Sequence, residues 1–382
     1  MSIPSFIIRN ACRNKRRMLL TVLSVGISLF LLTVLLTALQ LMTNPPTSEQ
    51  AALRIVTRHR VSLANVLPEK YQYRIERMPG VQYCSKFTWF GGIYKDEASS
   101  NFAQFAVDAD RIFRIFPEAV VEPRQEEAFV KDKTACVVGW KLMQRFGWKI
   151  GDRITLQGTI WSCDPELTIR GVYHGEGIDE TIVFFHHDYF DELMNKRGLV
   201  GTFWIKVERA EMIPGLIDRI DAAFRNTDAE TKTETERAFQ LGFISMIGNV
   251  RLFIGSICTV IVFTMLLVTA STMAMAIRER LREISVLKAL GFTGSAIFGL
   301  ILAESCGLSL AGGFLGCFGA KFLAETLDVY KLSQGFLPMF PITADILATG
   351  MLVAMSLGII SSLVPAYSSI HTSVVEGLKE LD

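Results

Sequence analysis

Four long, charge-poor apolar stretches, residues 19–42, 252–277, 295–320 and 346–370, constrain this chain more than any other feature in it. At 1.5 Å of rise per residue, each forms a helix longer than the roughly 30 Å hydrocarbon core of a bilayer, so each can cross it with some tilt. A long, mostly polar segment separates the first stretch from the second. The expected fold is therefore a membrane protein of four transmembrane helices with an α/β extracytoplasmic domain inserted between helices 1 and 2. Half of all residues are apolar, yet 39 Lys+Arg against 38 Asp+Glu leave a net charge of only +1. A chain this neutral lacks the basic surface that nucleic acid requires, which excludes that class of partner.

Orientation follows from the positive charges. Arg9, Arg13, Lys15, Arg16 and Arg17 precede the first stretch, and Arg278, Arg280, Arg282 and Lys288 outnumber Glu279 and Glu283 after the second. Both clusters are expected on the cytoplasmic side. The expected division is a basic segment (1–18), helix 1 (19–42), an exterior domain (43–230), a stalk helix (231–251) and helix 2 (252–277). It continues with a cytoplasmic loop (278–294), helix 3 (295–320), an exterior loop (321–345), helix 4 (346–370) and a cytoplasmic tail (371–382). The first stretch is read as a retained helix: it is too long for a signal-peptide core, and Leu41-Met42-Thr43-Asn44-Pro45 offers no small-x-small cleavage site. Of the seven cysteines, Cys84, Cys136 and Cys163 fall in the exterior domain, while Cys12, Cys258, Cys306 and Cys317 do not. None has metal-ligand spacing. The exterior three are read as buried thiols, with one disulfide plus a free thiol as the alternative.

Within the exterior segment, residues 69–78 read as a short helix stopped by Pro79-Gly80, followed by β-rich runs at 81–90 and 92–94 and a strand through Phe102, Phe105 and Val107. Residues 137–146 place Val138, Leu142 and Phe146 on one helical side and end at Gly147. Strands are expected at 154–157, 167–173 and 181–185, and an amphipathic helix at 212–225. Residues 231–248 contain no proline and are expected to run as one helix into the second span.

Several constellations invite chemistry. Glu304 is the acidic side chain deep in a span, where a carboxylate costs about 3 kcal/mol unless paired, protonated or wet. It is expected to be a structural tie rather than a proton carrier. Gly307, Ala311, Gly312, Gly316 and Gly319 give the third span a small-residue face for close helix contact. His186-His187-Asp188 is a poor chelate, because adjacent residues of a strand point to opposite faces. No nucleophile elbow is present, and Trp89, Phe90, Gly91, Gly92 and Tyr94 are expected to pack in a core.

The string MAIRERLREISVLKALGFTGSAIFGLILAES at 275–305 resembles the loop joining the second and third spans of FtsX/MacB-type (type VII) ABC transporter permeases. RNACRNKRRMLLTVLSVGIS resembles the basic approach to the family's first span, and VPAYSSIHTSVVEGLKE its exit from the fourth. ACVVGWKLMQRFGWKIGDRITLQG, followed by LTIRGVY, resembles the MacB-like periplasmic core. The resemblance covers nearly the whole chain. It implies a non-catalytic permease subunit of a bacterial inner membrane, with both termini cytoplasmic, paired with a second permease protomer (identical or paralogous) and driven by an ABC ATPase. A periplasmic adaptor protein is a further implied partner. No GxxxxGK[ST] phosphate loop occurs here, so ATP and Mg are expected on the ATPase chain and no cofactor on this one.

For the 278–294 segment the resemblance implies an ATPase-coupling helix that includes Arg278, Arg280, Arg282, Glu283, Ile284, Leu287, Lys288, Leu290 and Gly291. Leu281, Ile284, Leu287 and Leu290 supply an apolar edge, and charges crowd the remainder. Three functions remain open: mechanotransmission for export or extraction of a substrate, activation of a cell-wall hydrolase by an FtsX-like regulator that transports nothing, or a passive membrane receptor with no ATPase.

Overall fold

The computed structural model describes residues 14–43, 49–96, 102–175, 177–246, 249–327, 329 and 340–371. Arg9, Cys12, Arg13, most of the 321–345 loop beyond Leu327 and the 372–382 tail lie outside the described residues. The chain forms two compact units, one of long helices and one built from the segment between the first helix and the second.

The first long helix is α1 (Lys15–Thr43). The inserted domain comes next, with β1 (Arg54–His59), β2 (Leu67–Pro68), α2 (Tyr71–Glu76), β3 (Val81–Trp89), β4 (Ala103–Val107) and α3 (Ile112–Ile115). It continues through β5 (Val120–Val121), α4 (Pro123–Lys131), β6 (Ala135–Gly139), α5 (Trp140–Phe146), β7 (Arg153–Thr155), β8 (Glu166–His174) and β9 (Ile182–His186). The domain closes with α6 (His187–Leu193), β10 (Leu199–Val200), β11 (Thr202–Val207), α7 (Ile213–Ala223), β12 (Thr231–Thr235) and α8 (Glu236–Met246).

One mixed sheet carries the domain, in the order β12-β1-β11-β3-β4-β9-β6-β8-β5, with β7 added to β8. The β4/β9 and β6/β8 pairs are parallel and the others antiparallel. Strand alternation gives the sheet two covered faces. Ile55, Phe203 and Ile205 pack beneath α2 and α7, and Cys136, Val138 and Phe185 pack beneath α5 and α6 on the same face. Their chain neighbours Val56, Trp204, Val137 and Phe184 point the other way, against Ile112, Ile115 and Phe129 of α3 and α4.

Two expected helices are corrected. Residues 137–139 belong to strand β6, and the helix starts only at Trp140. Ala135–Gly139 is covered on both faces, so its apolar run lacks the alternation that marks a half-exposed strand. Gly139 is required there, since a Cβ would collide with the Glu180 carbonyl oxygen. The expected stalk is likewise interrupted. Thr231–Thr235 pairs with β1, the Thr57 and Thr233 hydroxyls meeting at 3.0 Å, and a helix begins at Glu236. A new helix starts at Asn249, whose side chain accepts from the Leu252 N–H.

The helical unit adds α9 (Val250–Arg278), α10 (Leu281–Ala289), α11 (Gly294–Thr326) and α12 (Ala344–His371). Among the described residues, four of its helices are long and apolar enough to cross a membrane: α1, α9, α11 and α12. They meet around Val25, Leu29, Leu32, Met265, Cys317, Leu347, Ala354 and Leu357, while Leu20, Phe263, Leu315 and Val364 turn outward. The glycine face of α11 is spent within the chain. A Cβ at Gly316 would collide with the Gly26 carbonyl oxygen, and one at Gly312 would come within 2.8 Å of Val25. A Cβ at Gly319 or Gly307 would meet nothing within 4 Å. Of the buried hydroxyls in the helices, those of Thr33, Thr37, Thr269 and Ser362 each donate to the carbonyl four residues back, whereas those of Ser305, Ser309 and Ser361 have no hydrogen-bond partner among the described residues.

Candidate functional site

The connection between α9 and α11 is a tight hairpin with a helix of its own. Gly291 ends α10 at φ +92°, a left-handed value that favours glycine. The Gly291 N–H donates to Lys288 O at 3.0 Å and the Phe292 N–H to Leu287 O at 3.1 Å, the paired closure of a Schellman motif. Thr293 then caps α11, its hydroxyl accepting from the Ala296 N–H at 3.3 Å. LGFT at 290–293 thus writes a helix stop and a helix start in four residues.

Three ties hold α10 against the long helices. Ile284 and Leu287 pack with Ile277 of α9 and with Ile297 and Ile301 of α11. Arg280 Nη1 donates to both carboxylate oxygens of Glu304, at 3.0 and 2.8 Å, with both side chains more than four-fifths buried. Lys288 Nζ donates to the Ser369 carbonyl at 3.1 Å, placing a cation at the C-terminal turn of α12, where the helix dipole favours it. Glu304 is therefore an ion-paired carboxylate that anchors the connection to α11.

The apolar edge expected from sequence is divided between two sides. Ile284 is buried and Leu287 is packed inward, whereas Leu290 is 72% exposed. Val286 and Phe292, which the sequence reading did not single out, are about half exposed; Phe292 stands outward with Leu290, whereas Val286 lines the cleft described below. Arg278 and Arg282 are also exposed, and neither has an ion pair among the described residues. Behind the helix lies a cleft of about 440 Å³, lined by Met273, Ile277, Ile284, Leu300 and Ile301, with Arg280, Arg282, Glu283 and Glu304 also on its wall.

The inserted domain holds two buried charge clusters that the sequence reading missed. Arg54, 2% exposed, pairs with Glu118 at 2.6 Å and Glu236 at 2.5 Å, donates to the Ile115 carbonyl and lies over the Phe116 ring. Burial raises the Glu236 carboxyl above its ordinary value, with Arg54 opposing. Lys86 reaches Glu69, Asp188 and Asp108 at 2.8, 3.0 and 3.1 Å, and these carboxylates raise its ammonium pKa against the opposing effect of burial. Beside it, burial and the Lys86 charge lower His187 to about 4. His186, the last residue of β9, meets the Phe129 carbonyl at 2.6 Å, while His187 opens α6. Among the described residues no group of three or more His, Cys, Asp or Glu side chains suits a metal ion.

Two further sequence readings can be placed. Phe90 and Tyr94 are core residues as expected, but Trp89 is 51% exposed. The Trp161 indole N–H donates to its carbonyl at 2.9 Å. Cys84 and Cys136 are buried free thiols whose pKa values burial raises, and Cys163 is a partly buried free thiol.

Known proteins share both units. Residues 18–223, more than half of the chain, match the MacB-like periplasmic core domain, and residues 255–374 match the FtsX-like permease C-terminal family. An uncharacterised ABC transporter permease of Methanocaldococcus jannaschii is 26% identical over 257 residues, 65% of this chain and 63% of that protein. The ABC transporter permease YtrF of Bacillus subtilis is 26% identical over 213 residues, 51% of this chain and 46% of YtrF. The chain thus spans less than two thirds of the length of either relative. Among solved structures, the extracellular domain of the noncanonic ABC-type transporter YknZ from Gram-positive bacteria aligns at 12% identity and a TM-score of 0.37, covering 47% of this chain and 99% of that one. The periplasmic region of MacB from Actinobacillus actinomycetemcomitans aligns at 8% identity and the same TM-score, covering 52% and 93%. With a MacB-like domain inserted after the first of four long apolar helices, and an FtsX-like region spanning the other three and their hairpin, the chain belongs to the FtsX/MacB type of ABC transporter permease.

Proposed function

We propose that this chain is the membrane subunit of an ABC transporter in a bacterial cytoplasmic membrane, with the inserted domain outside and α10 inside. ATP is hydrolysed on a separate ATPase chain, which docks on the outward side of α10. A second permease protomer completes the complex. Closure of the ATPase pair displaces α10, and the long helices pass that displacement to the exterior domain for export or extraction of a substrate. The basic residues around α10 support a cytoplasmic location.

The observation that carries this reading is the two-sidedness of α10. Its inner side is fastened to α9, α11 and α12, while Leu290 and Phe292 stand outward, with Arg278 also exposed. A helix anchored behind and apolar in front suits transmission of a push from a soluble partner. The Glu304 carboxylate is paired with Arg280, which argues against a charged path through this chain.

The test is affinity purification from native membranes, with mass spectrometry of the copurifying proteins. Leu290→Asp should keep the permease folded and lower recovery of an ABC ATPase severalfold, because an unpaired charge would enter an apolar contact. Leu287→Asp should instead destabilise the permease itself. Unchanged ATPase recovery with Leu290→Asp in a well-folded protein would remove the docking assignment.

A further inference from the structure

The cleft beside α10 is not lined by Leu290 or Phe292, the apolar residues proposed to meet the ATPase, and its chemistry is amphipathic. The inner wall is aliphatic, from Met273 and Ile277 of α9, Ile284 of α10, and Leu300 and Ile301 of α11. Two of the helices that bound it, α9 and α11, are long and apolar enough to cross a membrane, and the outward surface of α9 carries Val260, Phe263 and Met275. The space is continuous in character with a lipid-facing surface. Its volume, about 440 Å³, falls in the range of small-ligand sites.

Charge on the wall is unevenly committed. Arg280 is held by both oxygens of Glu304. Arg282 also lines the cleft, is exposed, and has no ion pair among the described residues. A guanidinium free to donate beside an apolar cavity is suited to a phosphate joined to a hydrocarbon chain. Glu283, one residue further on, limits the negative charge that the same wall accepts. A phosphodiester with a single charge therefore fits better than a doubly charged phosphomonoester.

We propose that the cleft between α10 and the ends of α9 and α11 is a site for an anionic phospholipid of the cytoplasmic leaflet. One acyl chain lies on the aliphatic wall and the phosphodiester meets Arg282. The site rests on the cytoplasmic placement of α10 given above. An occupant there fills the space behind the helix and stiffens its attachment to the long helices, which makes the response of the permease to its ATPase depend on lipid charge.

The purified full chain in detergent provides the test, without any ATPase, by native mass spectrometry titration with three probes. Dioctanoyl phosphatidylglycerol should bind at one site per chain, dioctanoyl phosphatidylcholine more weakly, and inorganic phosphate not at all. Arg282→Gln should weaken phosphatidylglycerol binding roughly tenfold or more, the loss of one charged hydrogen-bonding partner. Leu300→Trp, which fills the cleft, should abolish it while Arg282 is intact, and the melting temperature without lipid checks that each variant is folded. Equal binding of the two lipids, or phosphatidylglycerol binding unaffected by both substitutions, would overturn the site. Binding of inorganic phosphate as strong as that of lipid would reduce it to an anion contact and also overturn it. Loss of ATPase recovery in Leu300→Trp with no lipid binding to the unsubstituted chain would show that a partner side chain occupies the cleft instead. Because binding is read without ATPase, lipid retention together with a failed Leu290→Asp experiment would refute the docking surface and leave this site standing.

Discussion

Removing one partner of the Arg280–Glu304 pair should be far more damaging on one side than on the other. Both side chains are more than four-fifths buried, and one guanidinium nitrogen serves both carboxylate oxygens. Exposed ion pairs contribute about 0.2–1 kcal/mol, whereas stripping a buried charge of its partner costs about 3–5 kcal/mol. With some access to water remaining, Arg280→Gln should cost about 2–3 kcal/mol, because it leaves the Glu304 carboxylate in apolar surroundings well inside a long apolar helix. Glu304→Gln should cost only about 1 kcal/mol: the amide oxygen still accepts from Arg280, and the long arginine side chain can carry its charge toward water. The double variant should cost about 1–2 kcal/mol, giving a coupling energy near 2 kcal/mol in a double-mutant cycle. Equilibrium unfolding in mixed micelles measures all four proteins. Strict additivity, with coupling below about 0.5 kcal/mol, would refute the view that this pair fastens α10 to α11.

Further outcomes are expected at other places in the fold. Gly316→Ala should loosen the α1–α11 contact and lower thermal stability, since its Cβ would collide with the Gly26 carbonyl oxygen. Gly319→Ala, with open space around it, should be neutral or slightly stabilising in the same melt. His187 is held neutral in the fold with its pKa lowered to about 4, so the stability it contributes is present above the ordinary value of 6.5 and lost as pH falls from there toward 4. Protonation there costs on the order of 3 kcal/mol. His187→Leu should flatten that acid limb in a pH series of chemical denaturation, and an unchanged limb would show that other groups cause it. Leu287→Asp should lower the melting temperature of the permease, whereas Leu290→Asp should leave it unchanged, as expected from their opposite sides of α10.

The parts of the fold that were readable in sequence are those where one period repeats for long enough to outweigh local coincidence. The four apolar runs are of this kind, and so is the 213–223 helix with Leu216 and Ile220 buried at its core. The misreadings have separate causes. At 137–146, Val138, Leu142 and Phe146 fall at helical spacing by accident, and what decides the local structure is that Val137 and Val138 face two different cores. At 231–235, TKTET has no apolar signal at all. It is a strand because Thr57 and Asp221, distant from it in sequence or on another element, bond its threonines. On α10, Leu281, Ile284, Leu287 and Leu290 are spaced by threes, and each step turns the helix about 60° short of a full circle. Three steps carry Leu290 to the side opposite Leu281, so one apparent edge became an inner contact and an outer one. The Arg280–Glu304 pair had a sequence signal, a lone acid in an apolar helix near a surplus of arginines, but its choice of arginine required the hairpin geometry.

The first and last strands of the inserted domain lie side by side. β1, which comes after the first long helix, and β12, which precedes the second, are neighbouring strands, with Ile55 opposite Thr235. Adjacent strands are about 5 Å apart, and Arg54, at the start of β1, grips Glu236, the first residue after β12. A load that slides one of these strands along the other must break the β1–β12 hydrogen bonds and the Arg54–Glu236 pair in a single step. This edge of the sheet therefore resists shear between the first and last strands of the domain.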